Sequence, residues 1–320
     1  MDEIYNKFTN GQIFTRKDIL KILDDNKIKG QIIDIKFYQY KKIYIKIKEH
    51  ENIFLYKLCL HEYSINLSIN ESDGYNYFSK EDQLKFNLPD YKLINITKDY
   101  SLCKIEFIEG YKGNYFELSK FYNNCFSKNY KIVNLQNYIS TIVKKNQIDK
   151  DKSKKIDDTI NIILEKYKSI SIPVEASHGD FIGFNTIKNL NKNYVFDLEF
   201  FQKERSLLYD YFHWKITPII VKSLKYNCKF ILKKIFIILT KILYLEFKIK
   251  YKKTIINNER LFQILLILFL LERHIFLRYQ NFINQIEELV SEDEKKMITD
   301  NSNMCLSLID KILLNNKFNI

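Results

Sequence analysis

Between Ser177 and Trp214 the chain reads SHGDFIGFNTIKNLNKNYVFDLEFFQKERSLLYDYFHW, and no other stretch narrows the possible folds so much. A turn comes first, at Gly179 and Asp180. Asn185 follows five residues after Asp180, and Asp197 opens Asp-Leu-Glu directly behind the apolar run Tyr194, Val195 and Phe196. Gly and Asp favour turns, and a short apolar run bounded by polar residues reads as a buried strand. The segment is therefore a polar loop, a strand, and a second carboxylate at the strand's end. Phosphoryl transfer from a nucleotide uses one carboxylate to orient or deprotonate the acceptor hydroxyl, and oxygen ligands to hold Mg²⁺ against the phosphates. Asp180, Asn185 and Asp197 supply those groups in that order.

Taken singly, each residue has an ordinary reading. Asp180 suits a turn or a helix cap, His178 a ring that braces a loop, and Asp210 a brace or cap. As a set they resemble the aminoglycoside phosphotransferase and choline kinase family, which shares the protein-kinase-like fold. That family's catalytic loop has the form His-Gly-Asp with an Asn five residues after the Asp, matched by His178, Gly179, Asp180 and Asn185. Its metal-binding Asp, commonly within Asp-x-Glu on the next strand, is matched by Asp197, Leu198 and Glu199, and its later Asp by Asp210 in LLYDYFHW.

The resemblance implies an α+β, bilobal architecture, with a small antiparallel-sheet N-lobe and a large, mostly helical C-lobe. It implies ATP (GTP is an alternative) with Mg²⁺ in the cleft, Asp180 acting on the acceptor hydroxyl, and Asn185 and Asp197 binding the metal. Glu199 is expected to help the metal or contact substrate, and His178 and Asp210 to support the loop. The DLEFFQKERSLLYDYFHW form is similar to family members associated with bacterial surface-glycan gene clusters, so a sugar, glycan precursor or choline-like alcohol is the expected acceptor. A polycationic aminoglycoside ranks below these, because the acidic pocket it needs cannot be located in the acid-poor second half.

The rest of the chain fits around this segment. Residues 1–29 carry one helix signal, with Thr15 and Asp18 as a capping pair and Ile19, Leu20, Ile22 and Leu23 as its apolar face. This reads as an N-terminal helical extension. Residues 30–109 form the expected nucleotide-binding sheet: Ile32–Phe37, Ile43–Ile47 and Ile53–Leu58 read as a meander, and Tyr91–Ile96 and Leu102–Ile108 as two further strands. In kinase-like folds a strand lysine holds the nucleotide phosphates and a helix glutamate positions it. Lys57 and Glu71 take those roles, with Lys46 and Lys48 rivalling the first and Glu62 the second. The turn at 38–42, YQYKK, contains no glycine, so a Gly-rich phosphate loop is missing. That departure speaks more against a protein kinase than against a small-molecule kinase. Gly110 and Gly113 then break the last strand, and the resemblance places Glu106, Phe107 and Ile108 against the nucleotide base.

Residues 110–320 read as the helical C-lobe carrying the catalytic loop, with helical patterns at 116–126, 133–144 and 156–168 and a series from 214 to 314. The most apolar run, Ile264–Leu271, ends at Glu272 and Arg273, short of a membrane span, and reads as a buried helix. Between Lys225 and Lys253 lysines alternate with apolar residues; a core-facing helix with a solvated lysine face is favoured over one lying on an anionic membrane. The stretch at 287–296 reads as an exposed acidic turn.

With 46% hydrophobic and 15% aromatic residues the 320-residue chain can build a large core. The net charge of +12 is spread along the chain with no arginine-rich run or zinc-ligand spacing, so no nucleic-acid partner is expected. Five scattered cysteines without Cys-x-x-Cys, and an N-terminus lacking a signal-peptide core, suit a reduced, cytoplasmic setting. Two other readings stay open: a nucleotide-binding pseudokinase, and a basic module for membrane surfaces or nucleic acid.

Overall fold

A computed structural model describes residues 14–38, 41–80, 86–112, 130–145, 154–167, 169–251, 259–279 and 290–314. The chain divides into two compact units. One takes the described residues within Met1–Phe121 and regains the chain at Gly183–Phe201; the other is built chiefly from Tyr122–Ile182, Gln202–Glu287 and Ser291–Ile320.

The first unit is organised on five antiparallel strands, β1 (Gln31–Tyr38), β2 (Lys42–Glu49), β3 (Asn52–Cys59), β4 (Tyr91–Ile96) and β5 (Ser101–Glu106), in the order β1-β2-β3-β5-β4. The register assigns each side chain to a face. Ile43 pairs with Leu58, Ile45 with Tyr56, Ile47 with Phe54 and Leu58 with Leu102, which puts the isoleucines of β2 on one face. Helix α1 (Arg16–Asp25) covers that face through Ile19 and Leu23. Each such buried side chain contributes about 1.5–3 kcal/mol. Thr15 and Asp18 start α1 with a reciprocal capping box, the Thr15 amide donating to the Asp18 carboxylate at 2.6 Å.

Alternation sends Lys42, Tyr44, Lys46, Leu55, Lys57 and Cys103 to the opposite face. Helix α2 (Glu62–Phe78) packs there: Ser68 shares a hydrogen bond of 2.8 Å with Ser101, and Tyr91 of β4 donates to the α2 carbonyl of Ser68. A smaller sheet joins β6 (Tyr111–Lys112), β9 (Thr186–Asn189) and β10 (Lys192–Val195), and a parallel bridge ties Asn87 to Tyr194. These long-range pairings bring residues 183–201 into the unit.

The second unit has a three-stranded sheet of β7 (Lys131–Asn134), β8 (Ser171–Ser177) and β11 (Gln202–Ser206), in the order β11-β8-β7. Its described helices are α3 (Leu135–Lys145), α4 (Lys154–Tyr167), α5 (Tyr209–Lys225), α6 (Lys229–Tyr251), α7 (Glu259–Tyr279) and α8 (Glu292–Leu314). The run Ile264–Leu271 is fully buried within α7, as its sequence implies. Among the described residues no helix is long and apolar enough to cross a membrane.

Two expectations are corrected. The helix expected from Val133 begins at Leu135, because Val133 and Asn134 pair with Ile172 and Ser171 in the sheet and the Asn134 side chain accepts from the Gln136 amide at 2.9 Å as the cap. The described part of the expected acidic turn at 287–296 is mostly the first turn of α8, where Ser291 and Glu294 form a capping box that turns the acidic residues into favourable partners of the helix N-terminus. Helix α6 has the expected core face and solvated lysines, Lys234, Lys241 and Lys248, and beside those lysines its exposed side also carries a row of isoleucines. The helix expected at 116–126 lies outside the described residues.

Candidate functional site

Within the first unit, the face of the sheet opposite α1 borders a cavity of about 700 Å³. Tyr44, Lys46, Leu55 and Ile105 line it from the strands, Phe107 from the segment after β5, and Asp197 from the segment after β10. Its size is in the range of small-molecule and cofactor pockets.

Lys57 does not itself line the cavity; it is 0% exposed and sits directly behind two residues that do, Glu71 and Asp197. Its ammonium meets Glu71 of α2 at 2.5 Å and Glu199 at 2.6 Å, with Asp197 at 3.9 Å. Glu71 reaches it because α2 runs over the face to which strand alternation sends Lys57. Glu199 also pairs with Lys42, at 2.5 Å. Burial works against the Lys57 charge, but the Glu199 and Glu71 carboxylates outweigh it and hold the ammonium well above its usual range. Burial likewise opposes the charge on Glu199, yet Lys57 and Lys42 together bring it down to about 2. Glu199 is thus committed to two lysines, one of which, Lys42, the sequence reading passed over. Lys42 stands beside the glycine-free turn, where local pattern offers no reason to single it out.

Of the rival lysines, Lys46 lines the cavity with its ammonium 3.7 Å from the centre of the Phe107 ring, while Lys48 is exposed. Glu62 opens α2, about two and a half turns before Glu71 and so on the opposite side of the helix.

Asp197 adopts a left-handed backbone conformation, φ 67°, which Asp tolerates better than most residues. Burial first, and then the neighbouring Glu199 charge, push its carboxyl up to about 8. Its Oδ1 atom is buried without a hydrogen-bond partner. Asn185 ends a 3-10 turn, Gly183–Asn185, and is buried; its carbonyl accepts from the Phe196 amide at 3.2 Å, directly before Asp197. A buried carboxyl oxygen without a hydrogen bond, near an amide-bearing residue, is a hard-oxygen donor set of the kind Mg²⁺ takes together with phosphates. Leu198 fixes the segment from within, and Asn70 of α2 donates to the carbonyls of Glu199 and Phe201 at 2.6 and 3.0 Å.

Glu106, Phe107 and Ile108 form part of the cavity wall. The Glu106 amide donates to Asp90 and the Phe107 amide to Ile53, and the Glu106 carboxylate accepts from the Asp90 amide at 3.1 Å. These bonds hold the segment against the sheet.

Asp180, His178 and Asp210 belong to the second unit. Asp210, near the start of α5, gathers the loop after β8: its carboxylate accepts from the amides of His178 and Gly179 at 2.8 Å each and from the Ser177 hydroxyl at 3.1 Å. Gly179 has φ 88°, a conformation that favours glycine. The Asp180 amide donates to His178 Nδ1 at 3.2 Å, so the histidine shapes the turn. The Asp180 carboxylate is partly exposed and lies 3.5 Å from His213 Nε2.

His213 is a further residue the sequence reading did not single out, although it shares one helix face with Asp210 at i, i+3 spacing. Burial, then the charges of Arg273 and Arg205, hold its imidazole well below the usual histidine value, so the ring is neutral. Arg273 Nη1 is 3.1 Å from Nε2, and because a guanidinium only donates, that nitrogen is the acceptor. His213 therefore orients Arg273 and carries no proton toward Asp180 at that atom.

No protein-family model matches this sequence, and no curated protein matches it. Solved structures do. An aminoglycoside phosphotransferase, APH(4)-Ia, matches over 93% of this chain and 99% of its own at 9% identity, with a TM-score of 0.51. A thermostable mutant of that protein, in a ternary complex with ADP and hygromycin B, matches over 91% and 97% at 8% identity and a TM-score of 0.51. A protein assigned as a fructosamine-3-kinase from Haemophilus somnus 129PT matches over 92% and 97% at 13% identity and a TM-score of 0.50. Identities this low speak to architecture: the chain is built on the protein-kinase-like fold that these phosphotransferases share.

Proposed function

We propose that the protein is a small-molecule kinase that moves the γ-phosphate of ATP, or GTP, onto a hydroxyl of a sugar, glycan precursor or choline-like alcohol. The observation that carries the reading is the buried Lys57 ammonium held between Glu71 and Glu199 directly behind the Glu71 and Asp197 lining of a nucleotide-sized cavity, with Asp197 Oδ1 3.9 Å away and without a hydrogen bond. The neighbouring structures support it, since they include a phosphotransferase bound to ADP and an aminoglycoside.

In this reading Lys57 binds the donor phosphates, and Glu71 and Glu199 keep it charged and fixed. Lys46 and Phe107 flank the base, and Ile108 offers its amide to the base edge, the amides of Glu106 and Phe107 being engaged within the sheet. Asp197 and Asn185 would hold Mg²⁺, which supplies neutralisation of phosphate charge when bound. Asp180 orients the acceptor hydroxyl and takes its proton. Asp210 keeps that loop in shape through the His178 and Gly179 amides. Transfer in such sites is positioning plus charge stabilisation, so loss of one aligned group costs orders of magnitude in rate.

The test is a thermal-shift titration with ATP and Mg²⁺, separately and together, followed by a phosphorylation screen over sugars and amino alcohols. Stabilisation that needs both ligands and is lost in Asp197→Ala is expected, as is loss of transfer in a normally folded Asp180→Ala. Normal turnover in Asp180→Ala overturns the mechanism. Nucleotide binding without transfer to any acceptor in the screen would favour the pseudokinase instead.

A further inference from the structure

Helix α6 is apolar on two opposite sides. Leu232, Phe236, Thr240, Leu243 and Phe247 face the interior. Ile231, Ile235, Ile238, Ile242, Leu245 and Ile249 recur at alternating four- and three-residue intervals, which at 100° per residue confines them to one narrow stripe facing away from the core. All six are exposed, from 46% at Ile235 to 73% at Ile249. A stripe of this length, about 27 Å along the axis, is far more than the scattered apolar residues every surface carries.

The flanks of the stripe are chemically unequal. Lys234, Lys241 and Lys248 recur every seven residues and run along one edge, and the Lys234 ammonium sits 4.2 Å from the centre of the exposed Phe230 ring. On the other edge the one acidic residue of the helix, Glu246, is held by Lys215 at 2.6 Å. An apolar stripe edged by cations is the pattern of a helix lying in the interface of an anionic bilayer, with isoleucines at the acyl boundary and lysines at the headgroups. A second copy of the chain fits less well, since antiparallel self-pairing along the stripe would set one lysine row against the other.

We infer that the exposed side of α6 docks the protein, peripherally, on an anionic lipid surface. The experiment is co-sedimentation of the full chain with vesicles of phosphatidylcholine plus phosphatidylglycerol, against vesicles of phosphatidylcholine alone, at low and high salt. Light scattering in solution and circular dichroism accompany each variant. Binding is expected on the anionic vesicles, weakening with salt. Ile235→Glu with Ile242→Glu should abolish it. Lys234→Gln with Lys248→Gln, which leaves the apolar stripe intact, should weaken it by about fivefold per lysine. No binding of the wild-type chain to anionic vesicles overturns the inference. So does binding that the isoleucine variant retains, which would mean attraction by scattered charge. A wild-type dimer that the same isoleucine variant dissociates, without vesicle binding, would assign the stripe to a second copy and also overturn it.

Discussion

Replacing Lys57 by Met should reveal how the buried carboxylates around it are balanced. Of its two partners, Glu199 retains Lys42 at 2.5 Å, whereas Glu71 is 1% exposed and keeps no cation at that distance. The variant therefore strands one buried charge, and breaking such a pair costs about 3–5 kcal/mol. A cap applies: Glu71 can take up a proton, and from its ordinary value of 4.5 that costs roughly 3.4 kcal/mol at pH 7, at 1.36 kcal/mol per unit. The expected loss is thus about 3 kcal/mol at pH 7. The sign with pH follows from the same proton. In the variant Glu71 titrates higher when folded than when unfolded, so the penalty grows above 4.5 and shrinks as pH falls. At pH 5 roughly 0.7 kcal/mol should remain by the same constant. Urea unfolding followed by far-ultraviolet circular dichroism at the two pH values measures both. A loss under about 1 kcal/mol at pH 7, or one that does not change with pH, would refute the account. Lys57→Met combined with Glu71→Gln should recover much of the stability, because the stranded charge is removed with its partner.

Other outcomes follow from single contacts. Asp210→Ala leaves the amides of His178 and Gly179 without their acceptor and should cost about 1–3 kcal/mol, with a larger fall in kcat than in nucleotide affinity, read by urea melts and steady-state kinetics. His274, packed against Ser302 at 2.8 Å, is held down to about 4 chiefly by burial, so the unfolded chain binds its proton first as pH falls. Stability should therefore decline from pH 6.5 toward 4 by up to about 3 kcal/mol, and His274→Gln should flatten that slope in a pH series of melts. A Cβ on Gly74 would come within 2.9 Å of the Cβ atoms of Leu198 and Phe201, so Gly74→Ala should push α2 away from the Asp197–Glu199 segment, cost about 1–3 kcal/mol in a thermal melt and raise the KM for nucleotide.

Local pattern carried much of the architecture. The period-2 runs of β1 to β3, the capping pair of α1 and the apolar block of α7 each express a preference that their surroundings reinforce. Lys57 and Glu71 could be named because one lies on a strand and the other on the helix after it. Lys42 could not, since its importance comes from a contact with Glu199, 157 residues away in sequence. His213 and Arg273 were hidden for the same reason, their meeting being a property of how α5 and α7 pack. At Val133 the pattern misled: a helical apolar spacing extends into residues that cross-strand pairing with β8 claims first. The stripe on α6 was illegible for a different cause. Periodicity finds an apolar face, but when both sides of a helix are apolar it cannot say which one the core takes.

The division of the five-stranded sheet into an isoleucine face under α1 and a lysine face along the cavity has a consequence for how this sequence can change over time. Substitutions that respect the parity of β2 and β3 leave both faces intact. Insertion or deletion of one residue between Lys42 and Cys59 would exchange them, carrying isoleucines into the cavity and lysines against Ile19 and Leu23. Relatives that keep the same chemistry should therefore differ freely in residue identity through this hairpin and hold its length constant, with length variation confined to the turns on either side.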